Sequence, residues 1–309
     1  MPPLSIVFAG SPEAAVPSLR RIAASEHTIA AVLTREDSPQ GRRGILTPTP
    51  VAQTADELGL PVIRANRLAG AATEAIGDIQ PDLGVIVAYG GLVREPLLST
   101  PRLGWINLHF SLLPRWRGAA PVQRAIIAGD DLTGATVFQL VPELDAGDVF
   151  GQFTQPIGAH ETAGHLLESL SETGAELLLR VIGNLASGEA RADAQVGDVT
   201  LAPKLTLEDG RIDWSKSAID VVNLVRGVTP EPGAYTTLDE ARVKILDASI
   251  ARDAPRSAPG TLALEGRRLL IGTGTDPVEL ATVQPAGKKA MSAADWWRGR
   301  PAGGSAVAS

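Results

Sequence analysis

The stretch LGVIVAYGGLVREPLLSTPRLGWINLHF (83–110) contains two continuous apolar runs, LGVIVAY (83–89) and GWINLHF (104–110). Apolar runs without alternation are expected of strands covered on both faces, as in a parallel sheet flanked by helices. The second run also carries Asn107 and His109, alternate residues that share one side of a strand. Polar groups on a buried strand cost free energy unless they are paired or used. With four histidines in the chain, the position of this one calls for a reason.

Outward from these runs, strand-like and helix-like segments alternate. LSIVFAG (4–10), IAAVLT (29–34) and PVIRA (61–65) read as strands. Between them, Val16, Leu19 and Ile22 recur at helical spacing within 12–25, and VAQTADELG (51–59) reads as a helix stopped by Gly59. Further helices are predicted near 69–79 and 119–128. This order predicts an α/β fold with a doubly wound, mostly parallel, Rossmann-like sheet. Two more strands, 134–141 and 148–157, are joined by the acidic turn PELDAGD (142–148), and a long helix is predicted over 162–186.

Beyond this the pattern changes. Residues 188–204 are small and polar and read as a linker. A helix (217–225) and five short strand candidates follow, which predicts a small β-barrel over 205–301. The expected organisation is therefore a domain over 1–187, the linker, a C-terminal domain over 205–301, and a disordered tail over 302–309.

Composition narrows the class of function. The 309 residues are 44% hydrophobic and 20% charged, which is ordinary for a globular protein. No apolar run approaches the roughly 20 residues of a membrane span. MPPLSIVFAG has no basic leader region, so no signal peptide, a cytoplasmic location and no membrane partner are expected. The absence of cysteine excludes disulfides and thiolate chemistry. Net charge is −7, unevenly spread: residues 204–309 hold 14 basic and 13 acidic groups, the remainder 14 and 22. Charge alone neither supports nor excludes an RNA partner.

A lone histidine on an apolar strand is more often a core residue bonded to backbone than a catalytic group. Three features reverse that reading for His109. Asn107 shares its face, Pro114 and Gly118 punctuate a loop after the strand, and the turn containing Asp145 follows close by in sequence. Asp145, Gly147 and Asp148 could form only a turn. Alternatively, a carboxylate beside the histidine would hold its tautomer and raise its pKa. Asn, His and Asp together lack a nucleophile of their own, so they suit attack by a substrate nucleophile on a carbonyl carbon. In this reading the asparagine and an imidazolium donate to the oxyanion and the carboxylate helps move the proton. GSPEAA is not a dinucleotide fingerprint, and no P-loop, HExxH or GxSxG is present. His160 and His165 are five residues apart and do not share a helix face, so no metal is expected.

INLHFSLLPRWRGAAPVQRAI (106–126) and ELDAGD (143–148) resemble the formyltransferases that use 10-formyltetrahydrofolate, with their I-N-x-H-x-S-L-L-P-x-x-R-G-x-x-P and L-D-x-G-D patterns. IVFAGSPEAA, TREDSPQGRRG, RIDWSKSA and QPAGKKAMSAADWW extend the resemblance over nearly the whole chain, toward the tRNA-directed branch with its C-terminal OB-like barrel. The resemblance implies transfer of formyl from 10-formyltetrahydrofolate, a co-substrate, to the α-amine of methionine on initiator tRNA. It implies catalytic roles for Asn107, His109 and Asp145. It implies a folate site at Ser111, Leu112, Leu113 and Pro114, at Val87, Ala88, Tyr89 and Gly90, and at Leu140 and Val141. Arg42, Arg43, Lys288 and Lys289 are the expected tRNA contacts, and a monomer is expected. Phe110 and Glu143 depart from the usual pattern. Two alternatives stay open: a formyltransferase acting on a small amine, such as an amino sugar or glycinamide ribonucleotide, and a folate- or RNA-binding protein without catalysis.

Overall fold

The computed structural model describes residues 3–41, 44–300 and 306–308. By contact the chain divides into two compact units. One consists of Met1–Pro121, Leu132–Pro156 and Leu167–Ala202, the other of Val122–Asp131, Ile157–Leu166 and Pro203–Ser309.

The first unit is built on a seven-stranded sheet. In spatial order its strands are Val149–Pro156, Leu132–Gln139, Trp105–His109, Leu83–Val87, Ser5–Gly10, Thr28–Thr34 and Val62–Arg64. The five from Trp105–His109 to Val62–Arg64 run parallel. Leu132–Gln139 pairs antiparallel with Trp105–His109, and Val149–Pro156 pairs antiparallel with it in turn. The strand order reverses between Ser5–Gly10 and Leu83–Val87, whose ends meet at Gly10 and Val87. Such a switch point opens a crevice at the carboxyl ends of the strands.

Local chemistry explains the packing. Trp105 lies over Gly84, where a Cβ would stand 2.1 Å from its ring, and its indole N–H donates to the Leu97 carbonyl at 2.8 Å. Val7, Leu33, Ile76, Ile86 and Tyr89 complete that core. Leu108 points to the other face, against Gly174 of the long helix Ala163–Ser187.

The segment expected to be a linker is structured. Leu201–Ala202 pairs in parallel with Arg117–Gly118, and Asp193 bridges to Val149. Small polar residues suit a linker, but here their backbone groups complete ladders that the motif loop leaves open.

In the second unit, Ala234–Leu238, Ala241–Ile250, Val278–Pro285, Arg268–Ile271 and Leu262–Glu265 form one antiparallel sheet, with Met291–Ser292 added on Val278–Pro285. The strand-rich third expected as a barrel is thus an antiparallel sheet domain. Ile212, Trp214, Val225, Ile245 and Val283 fill its core with the helix Ala218–Gly227. This unit also includes Val122–Asp131 and Ile157–Leu166, which the sequence boundaries put in the first domain. Packing is the reason: a Cβ on Gly227 would stand 2.5 Å from Ile127, and one on Gly164 2.7 Å from Pro230. Part of the tail expected to be disordered also bonds. Ala306 accepts from Leu262 N–H and Ala308 donates to Gly260.

No described helix is long and apolar enough to cross a membrane.

Candidate active site

Asn107 pairs with Phe138 and His109 with Thr136 across the antiparallel ladder, so all four share one face. Asn107 is half-buried, and no protein hydrogen bond holds its carboxamide among the described residues. His109 is 6% exposed and meets Phe138 edge-on at 6.4 Å.

His109 Nε2 lies 2.8 Å from the Trp116 carbonyl oxygen. A carbonyl can only accept, so Nε2 carries the hydrogen and Nδ1 of the neutral ring presents a lone pair. Nδ1 stands 3.8 Å from Asp145 Oδ2. Burial pushes His109 below its ordinary pKa of 6.5, while the Asp145 charge and the Trp116 carbonyl raise it and lose. Where an imidazolium was expected, the direction of the shift favours a neutral imidazole at rest, because desolvation outweighs the carboxylate.

Asp145 arrives by an unexpected route. Leu140 N–H donates to the Trp105 carbonyl, at the opposite end of the strand from His109. The turn from 140 to 148 must then fold back along the sheet face to bring Asp145 beside His109. The reversal requires close backbone approach, since a Cβ on Gly147 would stand 1.8 Å from the Gln139 carbonyl oxygen. Asp145 itself has φ of +46°, a left-handed conformation that Asp tolerates better than most residues. Its Oδ2 accepts the Gly118 N–H at 2.7 Å.

The 111–120 loop is braced from within and from the 193–202 segment. Ser111 is fully buried, and its hydroxyl donates to the Arg115 carbonyl. Thr136 Oγ1 donates to the Ser111 carbonyl at 2.7 Å and accepts from Leu113 N–H at 3.3 Å. Trp116 N–H donates to Thr200 Oγ1, Arg117 N–H to the Thr200 carbonyl and Ala120 N–H to the Ala202 carbonyl. Gln195 spans both walls: its Oε1 accepts from the Arg117 guanidinium at 2.6 and 3.2 Å, and its Nε2 donates to the carbonyls of Asp145 and Gly147 at 2.8 and 2.9 Å.

Among the residues expected to hold folate, Leu113 and Pro114 are buried and Leu112 is half-buried against Gly134. Val87 is buried, and the Tyr89 ring belongs to the core, its hydroxyl donating to the Ala65 carbonyl at 2.6 Å. The Ser111 hydroxyl and the Tyr89 side chain are thus spent inside the protein. Ala88 and Gly90, with φ of +49° and +74°, remain exposed at the switch point, and Arg35 donates to the carbonyls of Tyr89 and Gly90. Leu140 and Val141 are half-buried. Of the residues expected to hold folate, the groups left accessible are thus the backbone turn at 88–90 and the partly buried side chains of Leu112, Leu140 and Val141.

The expected tRNA contacts divide. Lys288 and Lys289 are exposed on the turn after Val278–Pro285, which Lys288 N–H closes onto the Pro285 carbonyl. Arg42 and Arg43 lie outside the described residues.

Sequence reasoning missed Gln195, Thr200, Thr136 and Arg35. All four bond backbone groups contributed by distant segments, a role that no local pattern announces.

The chain belongs to the formyl transferase family: residues 4–182 match the formyl transferase model and 204–301 match the formyl transferase C-terminal domain. It is 58% identical over 296 residues to the methionyl-tRNA formyltransferase of Clavibacter sepedonicus, covering 96% of this chain and 97% of that protein. It is also 58% identical over 306 residues to the methionyl-tRNA formyltransferase of Leifsonia xyli, covering 99% of this chain and all of that protein. Among solved structures, the Helicobacter canadensis N-formyltransferase in complex with folinic acid and dTDP-3-aminofucose matches with a TM-score of 0.69 at 16% identity. That match covers 91% of this chain and 99% of the other. HypX from Aquifex aeolicus in complex with tetrahydrofolic acid matches with a TM-score of 0.65 at 18% identity, over 95% of this chain and 46% of its own. These distant structures share the fold.

Proposed function

We propose that this chain transfers the formyl group of 10-formyltetrahydrofolate to the α-amine of methionyl initiator tRNA, acting in the cytoplasm as a monomer and without a metal. The observation that carries the chemistry is the His109 Nδ1 lone pair 3.8 Å from the Asp145 carboxylate. Two acceptors at that spacing can both receive from one nitrogen placed between them, which is what an attacking amine requires. The identity of the acceptor is supported by relatives of 58% identity that carry the name methionyl-tRNA formyltransferase over nearly their whole length.

10-Formyltetrahydrofolate supplies the activated formyl carbon. Asn107, whose carboxamide no hydrogen bond holds among the described residues, donates to the oxygen as the carbon becomes tetrahedral. His109 takes the proton of the attacking amine through Nδ1, while its Nε2–H stays fixed on Trp116. The Asp145 carboxylate stabilises the imidazolium so formed. His109 then returns the proton to the departing nitrogen as the formyl C–N bond breaks, which leaves the ring neutral again.

The test is transfer of radiolabelled formyl from 10-formyltetrahydrofolate to charged initiator tRNA, with elongator methionyl-tRNA and a panel of small amines as competitors. Labelled initiator methionyl-tRNA is the expected product. Preferential labelling of an amino sugar or glycinamide ribonucleotide would overturn the acceptor, and no transfer to any amine would overturn catalysis.

A further inference from the structure

The 191–200 stretch is exposed at every position except Gln195 and Thr200, and those two residues bond the walls of the site. Gln195 uses its carboxamide completely. Its oxygen takes two guanidinium hydrogens from Arg117, and both hydrogens of its nitrogen go to the carbonyls that flank the Asp145 turn. No other side chain type of this length both donates twice and accepts. Arg117 lies next to Gly118, whose N–H holds Asp145 Oδ2. The Asp145 carboxylate is therefore set from two sides, through its own backbone carbonyl and through the loop that carries Gly118.

We infer that Gln195 is a positioning residue for the Asp145 carboxylate, coupling the Arg117 loop to the 145–147 turn so that Asp145 stays in register with His109. The inference rests on the catalytic reading of Asp145. Asp145 adopts a left-handed backbone, and a turn of this shape with one orphaned carbonyl would have a competing conformation at hand. Displacement of a reacting group by about 1 Å costs on the order of a hundredfold in rate.

Gln195→Met and Gln195→Glu test this in the full-length protein. Methionine keeps the length and removes the polar atoms; glutamate keeps the acceptor for Arg117 but cannot donate to the carbonyls. Both are expected to lower kcat by roughly ten- to a hundredfold, with KM for tRNA unchanged. Each is then combined with Asp145→Asn and followed by single-turnover formylation and thermal melting. If Gln195 acts through Asp145, the rate loss disappears in the Asp145→Asn background, because residues that act as a unit are not additive. A loss that persists undiminished there, or wild-type kcat in Gln195→Glu, overturns the inference. Full turnover in Asp145→Asn alone overturns instead the catalytic reading beneath it. Thermal melting separates a folding defect: both variants leave the Asp145 and Gly147 carbonyls without this donor and are expected to melt below the wild type, so kcat is compared at a temperature where each variant is fully folded.

Discussion

His109 Nδ1 and Asp145 Oδ2 stand 3.8 Å apart, beyond hydrogen-bond reach, while each is held from its other side: the imidazole by the Trp116 carbonyl and the carboxylate by the Gly118 N–H. The two groups are kept close but not joined. A joined pair would hold a proton of its own, whereas in the proposed reaction this spacing leaves both acceptors open to an incoming amine.

Asn107→Ala is expected to melt like the wild type, because the side chain is half-buried and makes no protein hydrogen bond among the described residues. Loss of an oxyanion donor should cost about 3 kcal/mol, or on the order of a hundredfold in kcat. Near-normal turnover by the purified variant would remove Asn107 from the mechanism.

His109→Ala should lose turnover and also stability. It vacates a buried site against Phe138 and removes the Nε2–H that the Trp116 carbonyl accepts, a cost of about 1–3 kcal/mol. Denaturant melts of the two variants should therefore separate. Equal stability would show that the imidazole is not anchored in this way.

The pH dependence follows from burial. The folded pKa of His109 lies below the unfolded value of 6.5, so between the two values the unfolded chain binds more protons. Stability should fall as pH drops from 6.5 toward the folded pKa, and be fully retained above 6.5. Asp145 raises this pKa, so Asp145→Asn should lower it further. Imidazole NMR titration reads both effects; a His109 midpoint at or above 6.5 contradicts the neutral ring.

Gly147→Ala should disrupt the turn, since its Cβ would meet a backbone carbonyl at 1.8 Å and no flexible side chain can yield. A loss of about 1–3 kcal/mol with loss of kcat is expected. A variant that melts and turns over like the wild type would mean the reversal at 140–148 is looser than described.

Phosphate contacts make binding salt-dependent, by about 0.9 of a log unit in slope per contact. Lys288→Glu with Lys289→Glu is expected to weaken tRNA binding and flatten its salt dependence. The same holds for charge reversal at Arg42 and Arg43. If affinity and slope are unchanged for either pair, that pair does not touch tRNA.

The longer strands of the two main sheets were legible in the sequence because their apolar runs are bounded by glycine, proline and acidic turns; the short pairs Arg117–Gly118 with Leu201–Ala202 and Ser38–Gln40 with Ile45–Thr47 were not. Trp105–His109 and Leu83–Val87 fall inside the runs GWINLHF and LGVIVAY. Asn107 and His109 stood out as polar residues on a run where burial predicts none, and Asp145 as part of the acidic turn that follows the next strand. The protonation state was not, because it depends on the balance between desolvation and one carboxylate, which only the packing around His109 decides. Gln195 was also hidden. A glutamine among small polar residues has no periodicity, and its partners lie 78 and 50 residues away.

The return of the 193–202 segment to the first sheet has a consequence for where this chain can be cut. A fragment ending at Ser187, after the long helix, would retain all seven strands and every residue that the motif marks. It would lack Thr200 beneath the Trp116–Arg117 corner and Gln195 between Arg117 and Asp145. Such a fragment would carry the motif intact on a loop missing its brace, so a piece that keeps the loop braced extends at least to Ala202.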